Sequence, residues 1–394
     1  MISDVMRKNV ENGSQIRAMF QMGKEMAKEF GEENVYDFSL GNPYTPVPEE
    51  FAQAVRDCLD EYSSTELHGY TDNRGYEDVR QAMADNLNKR FGSHYTADNI
   101  AMTVGAASGL NAILKTLLNP GEEVIVLCPY FTEYRNYIAN YSGVLVEVKC
   151  DDNLMPDIAD LQAKITAKTK CVIVNTPNNP SGAIYTDEVM KQMAATLEAK
   201  QKEFGTDIYI ISDEPYRELV YDGAKNPFVP DYYKNTIVGY SFSKSMSIPG
   251  ERMGYLAIGS DVADFEMMMA AVSTAIRILG PVNAPSLIQK AVAKCLDAQT
   301  DVGYYDENRK LLYGSLTEMG YECIKPQGAF YLMVKTPIEE AQFVELARNK
   351  YHILVVGTGS FGAPGYVRIA YCCSREKIER SLPAFENMAK ELGL

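Results

Sequence analysis

Seven short apolar runs constrain this chain most. They are Ile100–Val104, Val124–Leu127, Gly143–Val148, Cys171–Asn175, Ile208–Ser212, Thr236–Tyr240 and Gly254–Ile258. All are rich in valine and isoleucine and hardly alternate with polar residues. A strand covered on one face alternates; a strand covered on both faces does not. Amphipathic stretches such as Ala107–Leu118 and Thr186–Lys202 lie between the runs. This order predicts an α/β fold with a mostly parallel seven-stranded sheet flanked by helices.

The last hundred residues read differently. Thr336-Pro337-Ile338-Glu339 has the form of a capping box with proline at the first helical position, opening a helix to about Lys350. Short strands follow near Leu354 and Val367, then a helix from about Arg375 to Leu392. With 394 residues, one simple core is exceeded. The expected division is an N-terminal arm (1–44), a large domain (45–285) and a smaller α+β domain (286–394), with the arm packed on the smaller one.

Composition removes several functions. The net charge is −15 and no block of Lys and Arg offers itself to a nucleic acid. No segment reaches about 18 uninterrupted apolar residues. The N-terminal MISDVMRKNVENGSQIR has no apolar core or cleavage site and does not read as a signal peptide. Eight cysteines form no CxxC pair, and the adjacent Cys372 and Cys373 suit a strand; reduced thiols of a cytoplasmic protein are expected. The three histidines, His68, His94 and His352, lack metal-ligand spacing, so no metal site is expected. GTGSFG at 357–362 matches GxGxxG, but a turn and a strand follow it instead of a helix, so it reads as a loop.

Five stretches fall at the ends of the expected strands, where open α/β sheets bind ligands. TVGAASGL (103–110) starts a helix whose backbone N–H groups suit a phosphate, or simply packs tightly. PYFTEY (129–134) offers Phe131 for packing or for stacking on a planar ligand. NTPNNPSG (175–182) is a turn in which Asn179 presents an amide. ISDEPY (211–216) ends a buried strand on Asp213, a carboxylate that needs a helix end, a cation or a protonated ring nitrogen. SFSKSMSIPGERMGY (241–255) puts Lys244 directly after another strand. A phosphate cradle, a flat ring, a buried acid, an asparagine and a lysine together match the needs of pyridoxal 5'-phosphate.

The SFSK…GERMGY run, NNPSG and SDEPY, in this order, resemble the class I/II aminotransferases, fold-type-I pyridoxal-phosphate enzymes, over nearly the whole chain. The resemblance implies an aspartate-aminotransferase-like enzyme working by ping-pong half-reactions. It makes Lys244 the Schiff-base lysine and proton carrier, and Asp213 the partner of the pyridinium nitrogen. Tyr216 and Asn179 would bond the phenolic oxygen, and Phe131 would stack on the ring. Ala106, Ala107, Ser241 and Arg252 would hold the phosphate, with alanines where many relatives have polar side chains. Tyr70 would reach the phosphate of a neighbouring subunit, which implies a homodimer with shared active sites. Arg368 would clamp the substrate α-carboxylate, Gly41 would pass over the substrate, and GAFY (328–331) would pack near the site or touch the substrate.

An acidic donor needs a second cation, for which Arg277 and Arg17 are the candidates. Aspartate is the favoured donor and 2-oxoglutarate a fitting acceptor. Alanine, an aromatic amino acid, or a carbon–sulfur β-lyase reaction on the same fold are the alternatives.

Overall fold

The computed structural model describes residues 2–11 and 13–394. The seven expected runs form the large sheet: β1 (Ile100–Thr103), β2 (Glu123–Leu127), β3 (Val144–Val148), β4 (Thr169–Asn175), β5 (Tyr209–Asp213), β6 (Thr236–Ser241) and β7 (Gly254–Ile258). Their spatial order is β1-β7-β6-β5-β4-β2-β3. All run the same way except β7, which is antiparallel to both neighbours.

The continuous apolar runs have a direct cause. Val124 and Val126 enter one core with helices Gly105–Leu117 and Phe265–Ile278. Ile125 and Leu127 point the other way, into a core with helix Asp187–Phe204. Each strand alternates between two cores rather than between core and water.

A second, four-stranded antiparallel sheet is ordered Val356–Gly357, Tyr366–Ala370, Tyr331–Lys335, Cys323–Ile324. The arm forms a separate two-stranded parallel sheet beside it, pairing Tyr36–Asp37 with Ile353–Leu354. The core around this sheet also takes in Phe38, Tyr216 and Leu219. The chain segment after β5 therefore sits between the two sheets.

Two local expectations need correction. The helix after Thr336 begins at Glu340, capped by Glu339, whose carboxylate accepts from the Gln342 N–H at 2.9 Å. Thr336 instead donates to the Gly365 carbonyl, so the Thr-Pro-Ile-Glu pattern is a turn and not a capping box. Cys372 and Cys373 lie just beyond strand Tyr366–Ala370, buried and unbridged, because Ser374 already caps the last helix. The last residue of GAFY opens strand Tyr331–Lys335. Helix Ser286–Lys294 buries Ile288, Ala291 and Val292 in the cluster holding Phe51, Ala54 and Met83. We therefore propose dividing large and small parts between this helix and the next, Val302–Glu318, rather than at residue 285.

The bend after β5 is held by a buried ion pair. Arg217 Nε donates to Glu214, whose other oxygen accepts from Ser212 Oγ at 2.7 Å. The guanidinium also lies 4.8 Å from the centroid of the Tyr240 ring. Removing one partner of such a pair leaves the other charged and desolvated. Arg217→Met should lower unfolding free energy by about 3–5 kcal/mol, read from urea denaturation. Adding Glu214→Gln should recover part of that loss.

Candidate active site

A cavity of about 270 Å³ opens at the C-terminal ends of β1, β4, β5 and β6 and is closed on its far side by the second sheet. Among its lining residues are Gly41, Ala106, Ala107, Phe131, Asn179, Asp213, Tyr216, Ser241, Lys244, Arg252 and Arg368. Eleven of the thirteen sequence-predicted site residues thus share one space. The other two do not reach it. Tyr70 is 90% exposed in the single chain. Arg277 is exposed in the last turn of helix Phe265–Ile278. Arg17 is exposed too, but its neighbour Ile16 lines the cavity.

Asp213 ends β5, buried on both faces. Its Oδ2 accepts from Tyr134 Oη at 2.5 Å, while Oδ1 is buried with no partner. Burial pushes the carboxyl up to about 7, against the bond from Tyr134 and with a smaller push from Glu214. The Asn175 side-chain amide grips the Asp213 carbonyl at 2.8 Å and accepts from the Asn179 N–H, which locks β4 to β5. The Asn-rich loop is no ordinary surface turn, since residues 175–185 are buried throughout.

Lys244 sits on a one-turn helix, Phe242–Ser245, capped by Ser241 Oγ. Its ammonium donates to the Gly41 carbonyl at 2.7 Å. Burial first, then repulsion from Arg252 and Arg368, lowers it to about 8, partly opposed by Cys372. Such an amine has an appreciable neutral fraction near physiological pH, the form a nucleophile or base needs.

Arg252 has a left-handed backbone, φ 55°, and lies against Gly105 at the start of helix Gly105–Leu117. A Cβ at residue 105 would come within 2.9 Å of the guanidinium. A helix N-terminus, a guanidinium and Ser241 together make an anion-binding corner.

Arg368 is 1% exposed on strand Tyr366–Ala370. Its two terminal nitrogens are held by the Asn179 side-chain oxygen, at 3.1 Å, and the Ser39 carbonyl. Its Nε is buried without a partner.

Sequence reasoning alone does not single out several residues of the site. Tyr134 ends PYFTEY, and its i+3 spacing from Phe131 is the one local signal it offers. Tyr331 ends GAFY and bonds the Tyr216 hydroxyl at 2.8 Å. Asn175 and Tyr137 also line the cavity. Nothing in their local sequence sets them apart from core residues.

The sheet order and this cleft define a fold-type-I pyridoxal-phosphate transferase. The family model described as aminotransferase class I and II matches residues 33–385. The chain belongs to that family and is a pyridoxal-phosphate-dependent aminotransferase, exchanging amino groups between amino acids and 2-oxo acids. It is similar to the crystal structure of an amino transferase from Eubacterium rectale, with a TM-score of 0.97 and 45% identity over 100% of both chains. It is 30% identical to an aspartate aminotransferase of Pyrococcus horikoshii, over 95% of this chain and 94% of the relative. It is also 30% identical to aromatic-amino-acid aminotransferase 2 of Thermococcus litoralis, over 98% of each.

The residues present fit the cofactor. The orphaned Asp213 Oδ1 lacks the donor that a protonated ring nitrogen would bring. The corner at Gly105 and Arg252 has the charge for a phosphate. Among the described residues no helix is long and apolar enough to cross a membrane.

The raised Asp213 carboxyl carries a stability signature in cofactor-free protein. Between about pH 4 and pH 7 the folded chain keeps a proton that the unfolded chain has released. Stability therefore falls as pH rises through that window, by on the order of 4 kcal/mol. Asp213→Asn should flatten this fall. It should match the parent near pH 4 and exceed it at pH 8 in urea titrations.

Proposed function

We propose that this enzyme moves the amino group of an L-amino acid, aspartate foremost, to a 2-oxo acid such as 2-oxoglutarate, in two half-reactions at one site. The observation that carries the proposal is the meeting of Lys244, Asp213 and Arg368 on one cavity. When bound, pyridoxal phosphate supplies a Schiff base and an electron sink for the Cα electron pair. Every other task falls to the chain.

Arg368 takes the substrate α-carboxylate on its unpartnered Nε edge, and its fork suits two parallel bonds. Asn179 and the Ser39 carbonyl hold that fork in place. Lys244 Nζ, free and neutral, takes the proton from Cα and would return it to the carbon on the other side of the amino nitrogen. Asp213 keeps a proton on the ring nitrogen. Tyr216 and Asn179 donate to the phenolic oxygen, and Phe131 covers one ring face. The N–H groups of Ala106 and Ala107, with Ser241 and Arg252, hold the phosphate.

Tyr70 of one subunit reaches the phosphate bound by the other, which makes the working unit a homodimer. Its 90% exposure supports this, since a tyrosine so exposed lacks a partner within its own subunit.

For the distal carboxylate of aspartate, Arg17 is favoured over Arg277. Ile16 beside it lines the cavity, whereas no neighbour of Arg277 does. The second reading is an aromatic donor, favoured by the rings of Phe131, Tyr137 and Tyr331 along the same cavity. A carbon–sulfur β-lyase reaction would use the same residues.

The visible spectrum tests all three. L-Aspartate, L-tyrosine and L-cystathionine are added singly, without a 2-oxo acid. Loss of the yellow band on adding aspartate, and its return with 2-oxoglutarate, is the expected result. Persistence of the band with accumulating pyruvate and ammonia would mean a lyase. Lys244→Ala should cost at least about 10⁴-fold in kcat, since it removes both the base and the covalent anchor. Full activity of that variant would end the proposal. Mixed dimers of Lys244→Ala and Tyr70→Ala subunits should regain one working site in two; their inactivity would argue against the shared site.

A further inference from the structure

Tyr331 occupies a position that the proposed function leaves without a task. It is 2% exposed, and its hydroxyl is 2.8 Å from the Tyr216 hydroxyl. Its ring lies under the Arg368 guanidinium, 4.6 Å from carbon to centroid. The Tyr331 hydroxyl fills the space where a side chain at residue 41 would begin, so Gly41 leaves room for it.

Proton counting gives this arrangement a direction. Each hydroxyl has one proton. If Tyr216 gives its own to the bond with the cofactor's phenolic oxygen, the proton between the two tyrosines must come from Tyr331. Accepting a bond makes a hydroxyl a stronger donor. A cation against the ring of Tyr331 draws electron density from it and strengthens its O–H as a donor in turn.

We propose that Tyr331 is a positioning residue that keeps Tyr216 donating to the cofactor's phenolic oxygen and couples this bond to carboxylate binding at Arg368. A carboxylate bound at Arg368 offsets the guanidinium charge, weakens donation from Tyr331, and so weakens donation from Tyr216. Substrate binding at one end of the cavity is thereby felt at the cofactor ring. The inference rests on the proposed role of Tyr216. The other titratable or charged groups facing the tyrosine pair are Arg368, Cys372 and Tyr134. Those facing Lys244 are Arg252, Arg368 and Cys372.

The experiment is a pH titration of visible absorbance in the loaded enzyme, with the affinity of cofactor-free protein for pyridoxal phosphate measured alongside. The proteins are the parent, Tyr331→Phe, Gly41→Ala and the double variant. Weaker donation to the phenolic oxygen makes the chromophore more basic. Tyr331→Phe should raise its midpoint by about half to one pH unit and weaken cofactor binding several-fold. Gly41→Ala, which pushes the Tyr331 hydroxyl off Tyr216, should shift the midpoint the same way. The double variant should go no further than Tyr331→Phe alone. An unchanged midpoint in Tyr331→Phe, or additive shifts in the double variant, would overturn the coupling. Should Tyr331→Phe not fold, Gly41→Ala decides by itself: a raised midpoint supports the coupling and an unchanged one overturns it. A parent enzyme with no titrating visible band would instead overturn the reading of the site on which the coupling rests.

Discussion

Burial of polar groups at the C-terminal edge of the large sheet sets the chemistry of the cleft. A carboxyl at the end of β5 and an amine just past β6 sit in the same desolvated space. Burial is the largest cause that moves both toward neutrality, the acid upward and the base downward. In open water they would be a fixed anion and a fixed cation. Here each titrates near physiological pH and can change state during a reaction. The cost is instability of the cofactor-free cleft, which a bound ring and phosphate are suited to offset.

That space exists because two bodies meet over the strand ends. The large sheet supplies Asp213, Lys244 and the loop carrying Asn179. The second sheet supplies Arg368 and Tyr331 on neighbouring antiparallel strands. Tyr216, just past β5, packs in the core of the second sheet and so belongs to both. The strap around Gly41 bridges them, accepting from Lys244 on one side and yielding to the Tyr331 hydroxyl on the other. A small rotation between the bodies would change all these contacts together.

Much of the cleft is legible in the amino-acid sequence. Lys244, Asp213 and Asn179 follow directly on apolar runs, and a polar group at that place has few other uses. What stays hidden there has a common cause. Tyr134, Tyr331 and Asn175 lie within apolar or aromatic surroundings, and locally they look like core. Their roles depend on partners far along the chain, Asp213 for Tyr134 and Tyr216 for Tyr331. The turn at Thr336 has a related origin: a good cap pattern lost to the competing acceptor at Gly365.

The sequence by itself determined the sheet, its mostly parallel character and the family, because strands buried on both faces and motifs at their ends leave local signatures. Periodicity and short-range spacing carry that information in a few consecutive residues. Only the tertiary structure decided which side chains share the cavity, which atoms lack partners, and how far burial moves the acid and the amine. Those properties arise from contacts between residues more than a hundred positions apart, such as Lys244 with Gly41 and Arg368 with Asn179. Desolvation belongs to the assembled cleft and to no segment of the chain, which is why it cannot be read from any one of them.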